Sequence, residues 1–83
     1  KDLKLAVTRK RVDAVAETAD DIWIFEVKPR AGMSALGQLV NYFELYQQEY
    51  RPTKPLMLAV ICEREEPDIR HAYDLYAVNI ILV

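Results

Sequence analysis

Two acids in this chain stand where strands should be apolar, and a lysine follows one of them at a telling spacing. Within Trp23-Ile24-Phe25-Glu26-Val27-Lys28 the bulky and β-branched residues are those of a buried strand, yet Glu26 and Lys28 close it with one valine between them. Side chains alternate along a strand, so Glu26 and Lys28 project to one face and Val27 to the other. A carboxylate and an ammonium at the end of an apolar strand are costly to desolvate, and a surface ion pair at the strand exit is the plainest explanation. The same two groups can also hold a cation and move a proton, which makes them candidates for chemistry. Asp13 interrupts the preceding β-prone segment Val12-Asp13-Ala14-Val15-Ala16 in the same manner. Gln38 and Tyr42, four residues apart, share one face of the next helical segment, beside its apolar stripe. Gly37 precedes them, lowering helix propensity while leaving room for a close approach.

These residues need elements to hold them. Leu3, Leu5 and Val7 alternate with Lys4, Ala6 and Thr8, a period of two that predicts a first half-buried strand, with Arg9-Lys10-Arg11 as a turn or rim after it. Residues 11 to 18 and 22 to 28 predict two further strands. The short polar Thr18-Ala19-Asp20-Asp21 between them predicts an antiparallel hairpin, which brings Asp13 near the Glu26 end. Pro29-Arg30-Ala31-Gly32 breaks the strand. Ser34 is the expected cap of a helix reaching to about Tyr50, with Leu36, Leu39, Phe43, Tyr46 and Tyr50 as its apolar stripe. Arg51-Pro52-Thr53-Lys54-Pro55 ends it, and the continuous apolar run Leu56 to Cys62 reads as a buried parallel strand reached by a right-handed crossover. Glu63-Arg64-Glu65-Glu66 is expected as a solvated connection, Asp68 as the cap of a shorter helix to about Tyr76, and residues 78 to 83 as the last strand. The order is β-β-β-α-β-α-β, an α/β class with no internal repeat.

Eighty-three residues, 52% hydrophobic and 29% charged with two glycines, suit one small globular domain, residues 1–83. With no leading Met, no signal peptide and no apolar run of about 20 residues, the chain reads as a soluble piece of a longer protein, in a reducing, cytoplasmic setting with no membrane contact. A single cysteine, Cys62, excludes an internal disulfide and a multi-cysteine zinc site, and its apolar neighbours make it a small core residue. A net charge of −2 argues against a protein that coats nucleic acid through bulk charge. The distribution is uneven: residues 1 to 30 hold seven Lys or Arg against six acids, and residues 31 to 83 hold four against seven. Phosphate contacts are therefore expected from the opening strands.

Asp13, then Glu26-Val27-Lys28, then Gln38-Leu39-Val40-Asn41-Tyr42 on the following helix resembles the PD-(D/E)xK nuclease superfamily in order, spacing and element type. The QxxxY helix resembles the RecB-type branch, and Ala35-Leu36-Gly37-Gln38-Leu39 with Tyr42 and Glu44 is similar to NucS-like endonuclease catalytic domains. The likeness covers about residues 9 to 83. It departs from the pattern in lacking the usual first helix and in carrying Asn41 where NucS-like chains tend to carry a basic residue.

The resemblance implies a restriction-endonuclease-like mixed β-sheet and a Mg2+- or Mn2+-dependent deoxyribonuclease. Asp13, Glu26 and the Val27 carbonyl would be the metal ligands, offering hard oxygens to an ion that keeps several waters. Lys28 would position or help deprotonate the attacking water, Gln38 would orient that water or the phosphate, and Tyr42 would support Lys28 or stack near the strand. Arg9, Lys10, Arg11 and Arg30 are the expected backbone contacts, which position without reading sequence, so the DNA partner is single-stranded, flapped or branched. The rival reading is a catalytically inactive nuclease-fold module that binds DNA or a protein. A partner domain of the parent protein is expected, and the apolar Ile80-Ile81-Leu82-Val83 is an edge suited to a homodimer. His71, Glu63, Glu65 and Glu66 are read as surface residues, and Tyr73 and Tyr76 as packing.

Overall fold

The computed structural model describes residues 12–83. The expected strand at residues 3–8 and the basic Arg9, Lys10 and Arg11 lie outside the described residues. Thr18-Ala19-Asp20-Asp21 turns the chain between β1 (Ala14–Glu17) and β2 (Ile22–Val27). Thr18 Oγ1 accepts from the N–H groups of Asp20 and Asp21 at 3.1 and 3.0 Å and donates to Asp21 Oδ1 at 2.6 Å, so side-chain bonds make the turn without a glycine. The two strands pair antiparallel with Ala14 opposite Phe25 and Val15 opposite Ile24.

After a two-residue strand β3 (Arg30–Ala31), the helix α1 runs Met33–Tyr50 and lays Ala35, Leu36 and Leu39 on the sheet. It stops where Arg51 takes a left-handed conformation, φ 46, and its N–H bonds Gln47 O, just before Pro52, which has no N–H to continue the ladder. The apolar run then forms β4 (Leu56–Cys62), followed by β5 (Arg64–Glu65), the short α2 (Arg70–Leu75) and β6 (Val78–Leu82). β4 is parallel to β2 on one side and to β6 on the other, giving a mixed sheet in the order β1-β2-β4-β6. The described residues thus form a small α/β fold with four strands in its main sheet and two helices.

Both crossovers carry the chain the same way across the sheet, and a common hand therefore sets both helices over one face. Ile22 and Ile24 of β2, Leu58, Val60 and Cys62 of β4, Leu36 and Leu39 of α1 and Tyr73 of α2 join in one buried cluster there. Tyr73 is fully buried and donates its hydroxyl to Gly32 O at 2.7 Å, fastening α2 to the start of α1. Burial pushes the Tyr73 phenol up to about 12, so it stays a donor throughout the physiological range. On the opposite face Trp23 and Phe25 stack at 5.9 Å between ring centroids.

Four expectations need correction. Ser34 does not cap α1: the cap position is Gly32, which makes no side-chain cap bond, and Ser34 lies inside the first turn. Asp68 does not cap α2 either; it takes φ 60 in the turn before Ile69, a left-handed conformation that aspartate tolerates better than most residues. Pro29 to Gly32 does break the strand, since β2 stops at Val27, but residues 63 to 66 are not merely a solvated connection. Arg30–Ala31 and Arg64–Glu65 pair in parallel as β3 and β5, and the Glu66 N–H reaches Ala31 O at 3.0 Å. Tyr76 is exposed and is not a packing residue like Tyr73.

Ile24 has no exposed surface at the centre of the core, so Ile24→Ala should cost about 2–5 kcal/mol in urea unfolding. A Cβ added at Gly37 would meet no atom within 4 Å. Gly37→Ala should therefore raise stability by about 0.8–1 kcal/mol, and a loss of stability would show that the position is strained.

Candidate functional site

β2 ends at the same edge of the sheet where α1 begins, the carboxyl side of the parallel strands. In α/β sheets this is the edge where ligands bind, because the strand ends and helix starts leave polar backbone groups there. The β1–β2 register, continued by one pair, sets Asp13 opposite Glu26. Asp13 is exposed, and its Oδ2 accepts a hydrogen bond from the Val27 N–H at 2.7 Å. Val27 directs its side chain to solvent on the far face. The Lys28 N–H bonds Ile61 O on β4 at 3.0 Å, so by backbone alternation the Val27 N–H and carbonyl both face the β1 edge.

Glu26 shares the helix-covered face with Ile22 and Ile24 and is only 4% exposed, the single buried charged residue among those described. Lys28 Nζ lies 3.6 Å from Glu26 Oε2 with a third of its side chain open to solvent. The other carboxylate oxygen, Glu26 Oε1, is buried without a hydrogen-bond partner among the described residues. Burial raises the Glu26 pKa above its ordinary 4.5, the nearby Asp13 charge raises it further, and the charge and hydrogen bond of Lys28 pull it partly back. Like charges set opposite each other across a strand pair are destabilising, so this arrangement works against the fold.

Gln38 lies in the second turn of α1 and its Oε1 is also buried without a partner among the described residues. Tyr42, one turn further on, is half-buried and packs against the core cluster. The sequence-predicted residues therefore fall into two groups. Asp13, Glu26, Val27 and Lys28 come together at one strand end, with Arg30 two residues beyond; Gln38 and Tyr42 stand on the helix above the same sheet.

Sequence reasoning missed the β3–β5 extension and what it builds. Partner offsets are the same in β3–β5 as in β2–β4, so the small ladder continues the large one past the interruption at Pro29 and Glu63. A cavity of about 470 Å3 opens there, lined by Lys28, Arg30, Ser34, Arg64 and Glu66 among others. The only sequence signal was the basic pair Arg30 and Arg64, each just past a strand end, and Arg64 stood among glutamates that made it look solvated.

Among the described residues no group of three His, Cys, Asp or Glu side chains is placed to hold a metal ion. The oxygens present are hard donors: one Asp13 oxygen beyond the Val27 bond, the unpartnered Glu26 oxygen and the Val27 carbonyl. Such a set suits Mg2+ or Mn2+, which retains several waters and is commonly held by one or two carboxylates. No helix among the described residues is long and apolar enough to cross a membrane. No family model, curated protein or solved structure matches this chain.

The raised Glu26 pKa carries a stability signature. Between its unfolded value near 4.5 and its higher folded value the folded chain binds more protons, so the Glu26 contribution to stability falls as pH rises through that window. Metal-free Glu26→Gln should therefore be more stable than the parent at pH 7, by a margin that closes as pH is lowered toward 4.5. Urea unfolding at several pH values reads this directly. A glutamine variant that is less stable at pH 7, with a gap that widens as pH rises through 4.5, would show that the Lys28 pair outweighs burial.

Proposed function

We propose that this domain is a metal-dependent deoxyribonuclease of the PD-(D/E)xK kind, hydrolysing DNA phosphodiester bonds and preferring strand structure to base sequence. The observation that carries the reading is the buried Glu26 with an unpartnered oxygen, Asp13 across the strand from it and Lys28 beside it. A fold selected for stability alone has no use for two acids opposed at a strand end. A hairpin, a helix, a parallel strand, a second helix and a last parallel strand follow one another in the described residues, an order that supports this reading.

Asp13, Glu26 and the Val27 carbonyl would hold Mg2+ or Mn2+. When bound, such an ion polarises a phosphate oxygen and lowers the pKa of a coordinated water. Lys28, with its ammonium partly exposed, orients the attacking water and relays its proton. Gln38 turns its buried amide toward the water or the phosphate, and Tyr42 braces the helix on the sheet. Arg30, with Arg9, Lys10 and Arg11, contacts the sugar-phosphate backbone, a contact that fixes position and not sequence. The outer edge of β6, with Ile81 and Leu82 exposed, supports pairing with a second copy.

One observation favours the rival reading of an inactive module binding DNA or a protein: an Asp13 oxygen is already engaged by the Val27 N–H, as in a purely structural role. Two measurements separate the readings. Single-stranded, flapped and duplex DNA with Mg2+ or Mn2+ should be cut by the parent, and Glu26→Gln or Lys28→Ala should lower the rate by about 10²-fold or more. Equal cutting by the variants, or none by the parent, removes the catalytic reading. Calorimetric titration should show divalent-ion binding that Asp13→Ala abolishes, even in a chain that cuts slowly.

A further inference from the structure

The cavity beyond β2 holds more positive charge than the candidate hydrolytic site needs. Arg30 and Arg64 are direct register partners in the parallel β3–β5 ladder, so their side chains leave the same face side by side. Two like charges so placed destabilise a strand pair unless something answers them. Lys28 joins them in the lining, and Glu66 is the one acid there. Arg30 Nε is paired with Glu66 Oε2 at 3.1 Å, whereas Arg64 has no ion-pair or hydrogen-bond partner among the described residues. The Glu66 carboxylate lies so close to Gly32 that an added Cβ there would come within 2.6 Å of it, which leaves the rest of the cavity to the cations. Ser34 and the start of α1 complete the wall.

We propose that this cavity receives the terminal phosphomonoester of a nucleic-acid strand. A phosphomonoester carries close to two negative charges at neutral pH and three acceptor oxygens, and guanidinium groups match it with paired donors. A diester carries one charge and two free oxygens, whereas the two guanidinium groups and the ammonium that line this space of about 470 Å3 match the greater charge of a strand end. Lys28 belongs both to this lining and to the Glu26 ion pair, which places a strand end beside the candidate hydrolytic groups. The inference rests on the nuclease reading for its choice of nucleic acid, and it narrows the substrate to strands with a phosphorylated end.

The test uses the whole 83-residue chain in EDTA, with fluorescence anisotropy on one labelled single strand bearing a phosphate at either end in turn, or hydroxyls at both. One phosphorylated form should bind about tenfold tighter than the hydroxyl form, the effect of one charge-assisted contact. Arg64→Ala should erase that difference, and Glu66→Gln, which frees Arg30, should widen it. Equal binding of all three strands, or a difference that survives Arg64→Ala in a variant with a parental circular dichroism spectrum, sinks the proposal. So does inorganic phosphate or a phosphoserine peptide binding as tightly as the phosphorylated strand, since either would assign the cavity to another source of phosphate. Metal-dependent cutting is scored separately: Glu26-dependent cutting without end discrimination leaves the nuclease reading and removes this one, and discrimination without cutting does the reverse.

Discussion

Glu26 sits at the end of β2 almost out of contact with water, facing Asp13 across the strand, and both circumstances oppose its charge. Among the described residues only Lys28 answers it, at 3.6 Å and with an ammonium that solvent also reaches. The remainder of the domain makes this tension sustainable. The two parallel ladders that join β2, β4 and β6 and the helices above them hold Ile24, Leu39, Val60 and Tyr73 without exposed surface, so the strand that carries Glu26 cannot slide to relieve it. A shift of one residue would turn Ile22 and Ile24 outward and Trp23 and Phe25 inward, which the burial of this face forbids. Strain at one polar position is thus underwritten by apolar packing elsewhere.

Much of that frame is legible in the residues. The period of two in residues 22–27, the polar turn at Thr18 to Asp21, the long stripe of α1 and the apolar run of β4 each state their element, because one face of each must be buried and its spacing records which. The position of Asp13 opposite Glu26 also follows, since a short hairpin fixes register. What does not show is anything that depends on strands far apart in sequence. β3 and β5 are two residues each, too short for a pattern, and they exist only because β2 and β4 already lie side by side. The caps misled for a related reason: Ser34 and Asp68 have the right chemistry for a helix start, but the Gly32 carbonyl is bonded by Tyr73, 41 residues away, and Asp68 sits in the left-handed turn before Ile69.

The two extended faces of the sheet divide the labour. One is covered by both helices and carries the core and Glu26; the other shows the stacked Trp23 and Phe25 and the exposed Val27. The polar side chains of the candidate site cluster at one end. At the other end Lys54 closes the hairpin by reaching Glu17 Oε2 and Thr18 O, both at 2.8 Å, and this pair ties the start of β4 to the turn. Electrostatics at that end locks the chain together, whereas at the carboxyl edge it is left unbalanced.

The bond from Tyr73 to Gly32 spans 41 residues, and it governs timing as well as shape. Helix α2 is six residues long, too short to form unaided, so it must condense onto a sheet that is already in place. The start of α1 receives its last anchor only then. During synthesis the amino-terminal half leaves the ribosome well before its fastening partner, and contacts of such separation are slow to close. A nascent or clipped chain ending short of Tyr73 would hold every acid and base of the strand end while lacking the latch that sets the helix above them.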